Sequence, residues 1–131
     1  MAGQWRTSSD LITEALANLG VLAAGDPVDP EDFAYVNEKL DAIFRTLSAL
    51  EIVNIGDPNN IPGVFFMPLA DIVAGECAAK FGSKNEDFIK LKNNGLGGAN
   101  GVPVGAGTAA IMLKQILRMR PTYETLQVDY L

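Results

Sequence analysis

The residue types that carry most enzyme chemistry are thinly represented: the 131-residue sequence has no histidine and one cysteine, Cys77. Without imidazole it lacks the commonest general base, the commonest transition-metal ligand and the usual switch near neutral pH. Cys77 falls on the apolar side of its segment with nothing to draw off its proton, so it reads as a buried structural thiol rather than a nucleophile. A single cysteine forms neither an internal disulfide nor a zinc site, which fits a reducing compartment. Three other groupings have suitable residues. Gly105-Ala106-Gly107-Thr108-Ala109-Ala110 matches a relaxed dinucleotide fingerprint, in which glycines let a helix start approach a pyrophosphate. Too little chain follows Ala110 for the strand, acidic residue and parallel sheet that this chemistry needs. Asp26, Asp29, Glu31 and Asp32 collect carboxylates for a hard cation, but without the glycine and terminal glutamate of a calcium loop, and helix capping accounts for them better. Lys80, Lys84, Lys90 and Lys92 bracket a loop; a few local cations suffice for non-specific phosphate contact, although no aromatics are interleaved. The expectation is therefore a protein that is not an enzyme and takes no metal or cofactor.

The positioning elements must come from one domain, the usual content of a chain this long. With 48% hydrophobic and 20% charged residues the composition is that of an ordinary globular fold. A net charge of −6 argues against nucleic-acid binding over the whole surface, so any DNA contact must be local. No apolar run approaches the roughly 20 residues that cross a bilayer, and the start Met1-Ala2-Gly3-Gln4-Trp5-Arg6 has no signal-like apolar core. Neither export by that route nor a membrane is expected.

Hydrophobic spacing predicts a mainly α fold, a small bundle of four to five helices with a short β hairpin or arm and an extended C-terminal tail. The first helix starts after Thr7, with Asp10 completing a capping box, buries Leu11, Ile12, Ala15, Leu16 and Leu19, and stops at Gly20. Asp29-Pro30-Glu31-Asp32 opens a second helix with a cap, a first-position proline and acids against the dipole. Its stripe of Phe33, Val36, Leu40, Ile43, Phe44, Leu47 and Leu50 predicts the longest helix and the spine of the core. Residues 51–67 fit either two short β segments or an irregular arm. A third helix over Pro68–Phe81 points Leu69, Ile72, Val73, Cys77 and Ala78 inward, with Gly75 weakening it slightly. A short helix over Asn85–Asn93 leads into a glycine-rich segment, 94–107, expected to be a flexible loop. The last helix runs from Thr108 to Met119, with Ile111, Met112, Gln115, Leu117 and Met119 on a loose amphipathic pattern, and Pro121 ends it. Residues 1–121 form the domain and 122–131 a tail whose apolar side chains at 126, 128 and 130 alternate with polar ones, as a strand with one buried face would. That tail either docks on another chain or folds back over the bundle as hydrophobic cover.

Charge divides along the chain. The first 66 residues hold ten acids against Arg6, Lys39 and Arg45, whereas Lys80, Lys84, Lys90, Lys92, Lys114, Arg118 and Arg120 face only Glu86 and Asp87. An acidic end and a basic end suit head-to-tail association; solvated helix faces are the plainer account.

The order Ser9-Asp10-Leu11-Ile12-Thr13-Glu14-Ala15-Leu16-Ala17-Asn18-Leu19-Gly20-Val21-Leu22-Ala23-Ala24-Gly25, followed by the long helix from Asp29 through Leu47-Ser48-Ala49-Leu50, resembles the head-to-tail adaptor (connector) proteins of tailed bacteriophages. Pro68-Leu69-Ala70-Asp71-Ile72-Val73-Ala74-Gly75-Glu76-Cys77-Ala78-Ala79-Lys80-Phe81-Gly82 is similar to their third helix. The likeness covers residues 1–90 and the last helix, and rests on helix pattern rather than an invariant motif. It implies a helical bundle that assembles as a homo-oligomeric ring of about twelve copies beneath the portal protein. Such a ring bridges the portal to tail or stopper proteins and continues the channel for duplex DNA, which passes without sequence specificity. The location implied is the head-tail junction of the virion, after synthesis in the host cytoplasm. A carboxy-terminal segment that reaches the portal or another partner would here comprise Arg120, Pro121, Thr122, Tyr123, Leu126, Val128, Tyr130 and Leu131, and the candidates for DNA-channel contact are Lys84, Lys90 and Lys92. A small helical ligand-binding domain or a DNA-binding regulator are the alternatives.

Overall fold

The computed structural model describes residues 5–22, 25–81 and 85–118. Strand β1 (Trp5–Arg6) is followed by helices α1 (Ser8–Asn18) and α2 (Pro30–Ala49), strand β2 (Ile61–Pro62), helix α3 (Gly63–Cys77) with a 3₁₀ turn (Ala78–Phe81), and helices α4 (Asn85–Asn94) and α5 (Thr108–Arg118). The mainly helical bundle read from the sequence is the fold. The two strands pair antiparallel, Trp5 opposite Pro62 and Arg6 opposite Ile61. Thus β2 pairs with Trp5–Arg6 rather than with Ile52–Ile55, of which Ile52 and Val53 are buried in the core.

Local signals set the first two helices as expected. Thr7 Oγ1 accepts from the Asp10 amide and Asp10 Oδ2 from the Thr7 amide, both at 3.2 Å, the reciprocal bonding of a capping box. At the other end Gly20, with φ +80°, donates to Ala17 while Val21 donates to Leu16, so these two carbonyls near the end of α1 are satisfied. Asp29 accepts from the Glu31 amide at 2.9 Å and Pro30 begins α2, the longest helix at 20 residues. Its C-terminus closes through the same pair of bonds as α1, with Glu51 at φ 59° in the place that glycine usually takes.

The spine of the core is α3, not α2. Phe65, Phe66, Leu69, Ala70, Ile72, Val73, Ala74, Gly75 and Cys77 are all buried, so this helix is covered nearly all round, as a central helix must be. It packs against α1, α2, α4 and α5. It also starts five residues before the expected Pro68, which sits in its second turn. Proline there removes the amide that would bond the Val64 carbonyl; burial of Phe65 and Phe66 stabilises the extra turn against that loss.

Gly75 is required by this packing rather than tolerated: a Cβ on it would lie 2.6 Å from the Leu91 carbonyl oxygen of α4. The segment 94–107, expected to be flexible, is instead a folded plug. The Leu96 carbonyl accepts from the Gly105 amide at 2.8 Å and the Gly107 amide at 3.1 Å, Gly97 donates to Lys92 at 2.8 Å, and Gly98 donates to Val102 at 2.8 Å. Leu96 itself is buried in the core. Glycine here permits backbone to pack on backbone, a demand that composition cannot distinguish from flexibility.

On α5 the loose pattern is kept only in part. Ala109, Ala110 and Leu113 are buried and Ile116 and Leu117 pack beside the core, whereas Ile111 and Met112 are 44% and 45% exposed. Small alanines allow α5 to approach α3, so close packing decides the facing over side-chain hydrophobicity. Leu113→Ala should accordingly destabilise by about 2–4 kcal/mol, and Met112→Ala by less than about 0.5 kcal/mol. Urea titrations of the two variants check this; equal losses would contradict the facing.

Candidate assembly surface

Several large apolar side chains stand in water. Around β1, β2 and the start of α3, Trp5 is 56% exposed, Val64 46% and Met67 53%. Arg6, next to Trp5, places its guanidinium 4.4 Å from the centre of the Phe66 ring, a cation–π contact on a buried aromatic. Elsewhere Val21, Leu50, Val104 in the glycine-rich plug, and Ile111 and Met112 on α5 are also exposed. Solvent exposure of an isolated apolar residue needs no explanation, but a large exposed tryptophan among others is characteristic of contact surfaces.

Another feature combines charge with concavity. Tyr35 on α2 meets Phe81 edge-on at 6.0 Å, and the ammonium groups of Lys39 and Lys80 each lie 5.4 Å from the centre of the Tyr35 ring. Beside Lys39, a cavity of about 190 Å³ is lined by Ala42, Ile43, Thr46, Glu76 and Leu96. Glu76 is held by Lys92 at 2.7 Å. Lys39 and Lys80 stand far apart in sequence, and Lys39 is the middle cation of an acidic half; only the packing of the 3₁₀ turn on α2 brings them to one ring.

Of the candidate channel lysines, Lys90 is exposed on α4, Lys92 is committed to Glu76 rather than presented to solvent, and Lys84 lies outside the described residues. So do Arg120, Pro121, Thr122, Tyr123, Leu126, Val128, Tyr130 and Leu131.

The glycines of the dinucleotide-like run serve the plug instead. Gly107 is wedged against the backbone of Gly95, Leu96 and Gly97, the Ala110 amide donates to the Gly95 carbonyl, and the element that leads into α5 is helix α4 rather than a strand. A pyrophosphate has no approach there. Asp29 caps α2 and Glu31 and Asp32 occupy its first turn, the dipole-compensating positions. Among the described residues no three cation-ligating side chains converge, and no helix is long and apolar enough to cross a membrane.

Burial pushes the Cys77 thiol up to about 11, with the Glu76 carboxylate adding to the shift and Lys39 opposing it, so the thiolate is suppressed. Asp71, on α3, accepts from Asn18 Nδ2 at 3.1 Å. Its carboxyl is raised above the ordinary range, first by burial and then by the Glu14 charge. A raised carboxyl favours the folded state while protonated, and that contribution is lost as pH rises through its folded value. Asp71→Asn keeps an oxygen for Asn18 and removes the charge. It is expected to melt above the parent at pH 7, with the difference closing as pH falls toward the ordinary carboxylate range; a constant difference across the pH series would exclude the charge as cause.

No family model, curated protein or solved structure matches the chain.

Proposed function

We propose that the protein is a structural subunit of a tailed-phage particle, a head-to-tail adaptor that forms a ring under the portal, bridges it to the tail and continues the DNA channel. The observation that carries this reading is where the chemistry lies. Among the described residues no polar or charged side chain is buried, whereas Trp5, Val64, Met67, Ile111 and Met112 stand in water. A catalytic pocket needs polar groups held in a desolvated place; a subunit needs apolar contact area on its outside. The bundle also has the helix order on which the resemblance rests, and the charge imbalance along the chain favours a contact between unlike surfaces, the kind that closes into rings. In this role residues 120–131 reach the portal or another partner, Lys90 is the exposed channel cation, and no turnover is associated with the chain.

The test is capture by particles. Purified protein is mixed with DNA-filled, tail-less heads bearing a portal and examined by electron microscopy. A ring at the portal vertex that is lost when residues 122–131 are deleted, with helicity unchanged, supports the role. Failure of the intact chain to bind any portal vertex, or a reproducible activity abolished by one substitution, overturns it.

A further inference from the structure

One flank of α2 forms a groove that its own bundle leaves open. Tyr35, Lys39, Ala42, Ile43 and Thr46 succeed one another at helical spacing, and all but Tyr35 line the cavity shared with Glu76 and Leu96. At about 190 Å³ the cavity takes one aliphatic or aromatic side chain, since an apolar cavity of roughly 150 Å³ already admits benzene. Its floor is apolar, because Ile43 and Leu96 are buried core residues. Its acid, Glu76, is neutralised by Lys92. At the Tyr35 end the ammonium groups of Lys39 and Lys80 converge on one ring. Among the described residues the ion pairs are Arg45 with Asp41 and Lys92 with Glu76, and neither Lys39 nor Lys80 meets a carboxylate within that set. An apolar pocket lined by Lys39, whose ammonium shares the Tyr35 ring with that of Lys80, fits a segment carrying a carboxylate and an apolar side chain on the same side, about one helical turn, roughly 5–6 Å, apart.

The chain itself contains such a segment. In an extended strand residues two apart share a side at a spacing of about 6.6–6.8 Å. One side of residues 122–131 therefore carries Glu124, Leu126, Val128 and Tyr130, one acid followed by three apolar side chains. We propose that the α2 groove of one copy takes residues 122–131 of a second copy, with Glu124 against Lys39 and Lys80 and Leu126 in the cavity beside Ala42, Ile43 and Leu96. The contact joins unlike surfaces, so each copy offers both a tail and a groove and the interaction repeats from copy to copy. The inference rests on the adaptor reading only in taking the tail to act outside its own bundle.

The experiment uses the full chain in four forms: the parent, the groove variant K39E/K80E, the tail variant E124K, and the combined K39E/K80E/E124K. Sedimentation velocity at low and high salt reads association and circular dichroism reads folding. The parent is expected to associate, less so at high salt. The groove and tail variants each weaken association by roughly tenfold or more. The combined variant regains it, and the groove and tail variants mixed together form pairs, since the tail of one still fits the groove of the other. Leu126→Asp, a change outside the bundle, should match E124K and serves if the groove variant misfolds. Association of the groove and tail variants equal to the parent's overturns the proposal. So does a parent that stays monomeric while the K39E/K80E substitutions lower its melting temperature, which would place the tail in its own groove. Failure of the adaptor reading is read separately: groove variants that still form rings on portal-bearing heads refute this contact and leave that role intact, whereas charge-exchangeable association without portal capture does the reverse.

Discussion

Gly107→Ala is expected to be among the most damaging small substitutions in the protein, costing about 3–4 kcal/mol and lowering the melting temperature by roughly 10 °C or more. A Cβ at this position would lie 2.3 Å from the Gly95 carbonyl oxygen, 2.5 Å from the Gly97 nitrogen and 2.6 Å from the Leu96 carbonyl carbon. All three are backbone atoms, so relief cannot come from a side-chain rotation. The segment would have to open, weakening the bonds from Gly105 and Gly107 to the Leu96 carbonyl and lifting Leu96 from the core. Gly56 is the control. Nothing lies within 4 Å of an added Cβ and its φ is not positive, so Gly56→Ala should be neutral or slightly stabilising through the unfolded chain. Thermal denaturation followed by circular dichroism compares the two; equal stability would mean that the plug is not built as described.

Leu69→Ala should cost about 3–5 kcal/mol, at least as much as Leu40→Ala or Phe44→Ala, for which roughly 2–5 kcal/mol is expected. Leu69 is fully buried on a helix surrounded by its neighbours, so the space left by truncation cannot collapse from any side. Leu40 and Phe44 belong to α2, one of whose sides faces water, and retain slight exposure. Chemical denaturation of the three variants decides the order. A loss at Leu40 clearly exceeding that at Leu69 would return the role of spine to α2.

Much of this architecture was legible because its signals are local. The Thr7–Asp10 capping box, Gly20 at the end of α1, and Asp29-Pro30 at the start of α2 depend on residues within a turn of one another, and so does the apolar stripe from Val36 to Leu47. Such features survive whatever the rest of the chain does. The absence of histidine and the alternating pattern of residues 122–131 are likewise properties of the sequence itself.

What tertiary structure decided were the matters of which element meets which. A helix buried on every side gives no amphipathic stripe, so the start of α3 at Gly63 and its central place were hidden behind Pro68, whose local meaning is a helix start. The glycines of 94–107 have the composition of a flexible loop, and only the approach of α3, α4 and α5 turns the same freedom into tight backbone packing. On α5 the buried face is made by Ala109, Ala110 and Leu113 rather than by the larger Ile111 and Met112, because a close crossing selects alanine over bulk. Lys39 and Lys80 came to share the Tyr35 ring only when the 3₁₀ turn laid Phe81 against it. Caps and stripes are fixed by interactions across three or four residues; core position, glycine role and charge convergence depend on contacts between distant segments, and those exist only once the chain has folded.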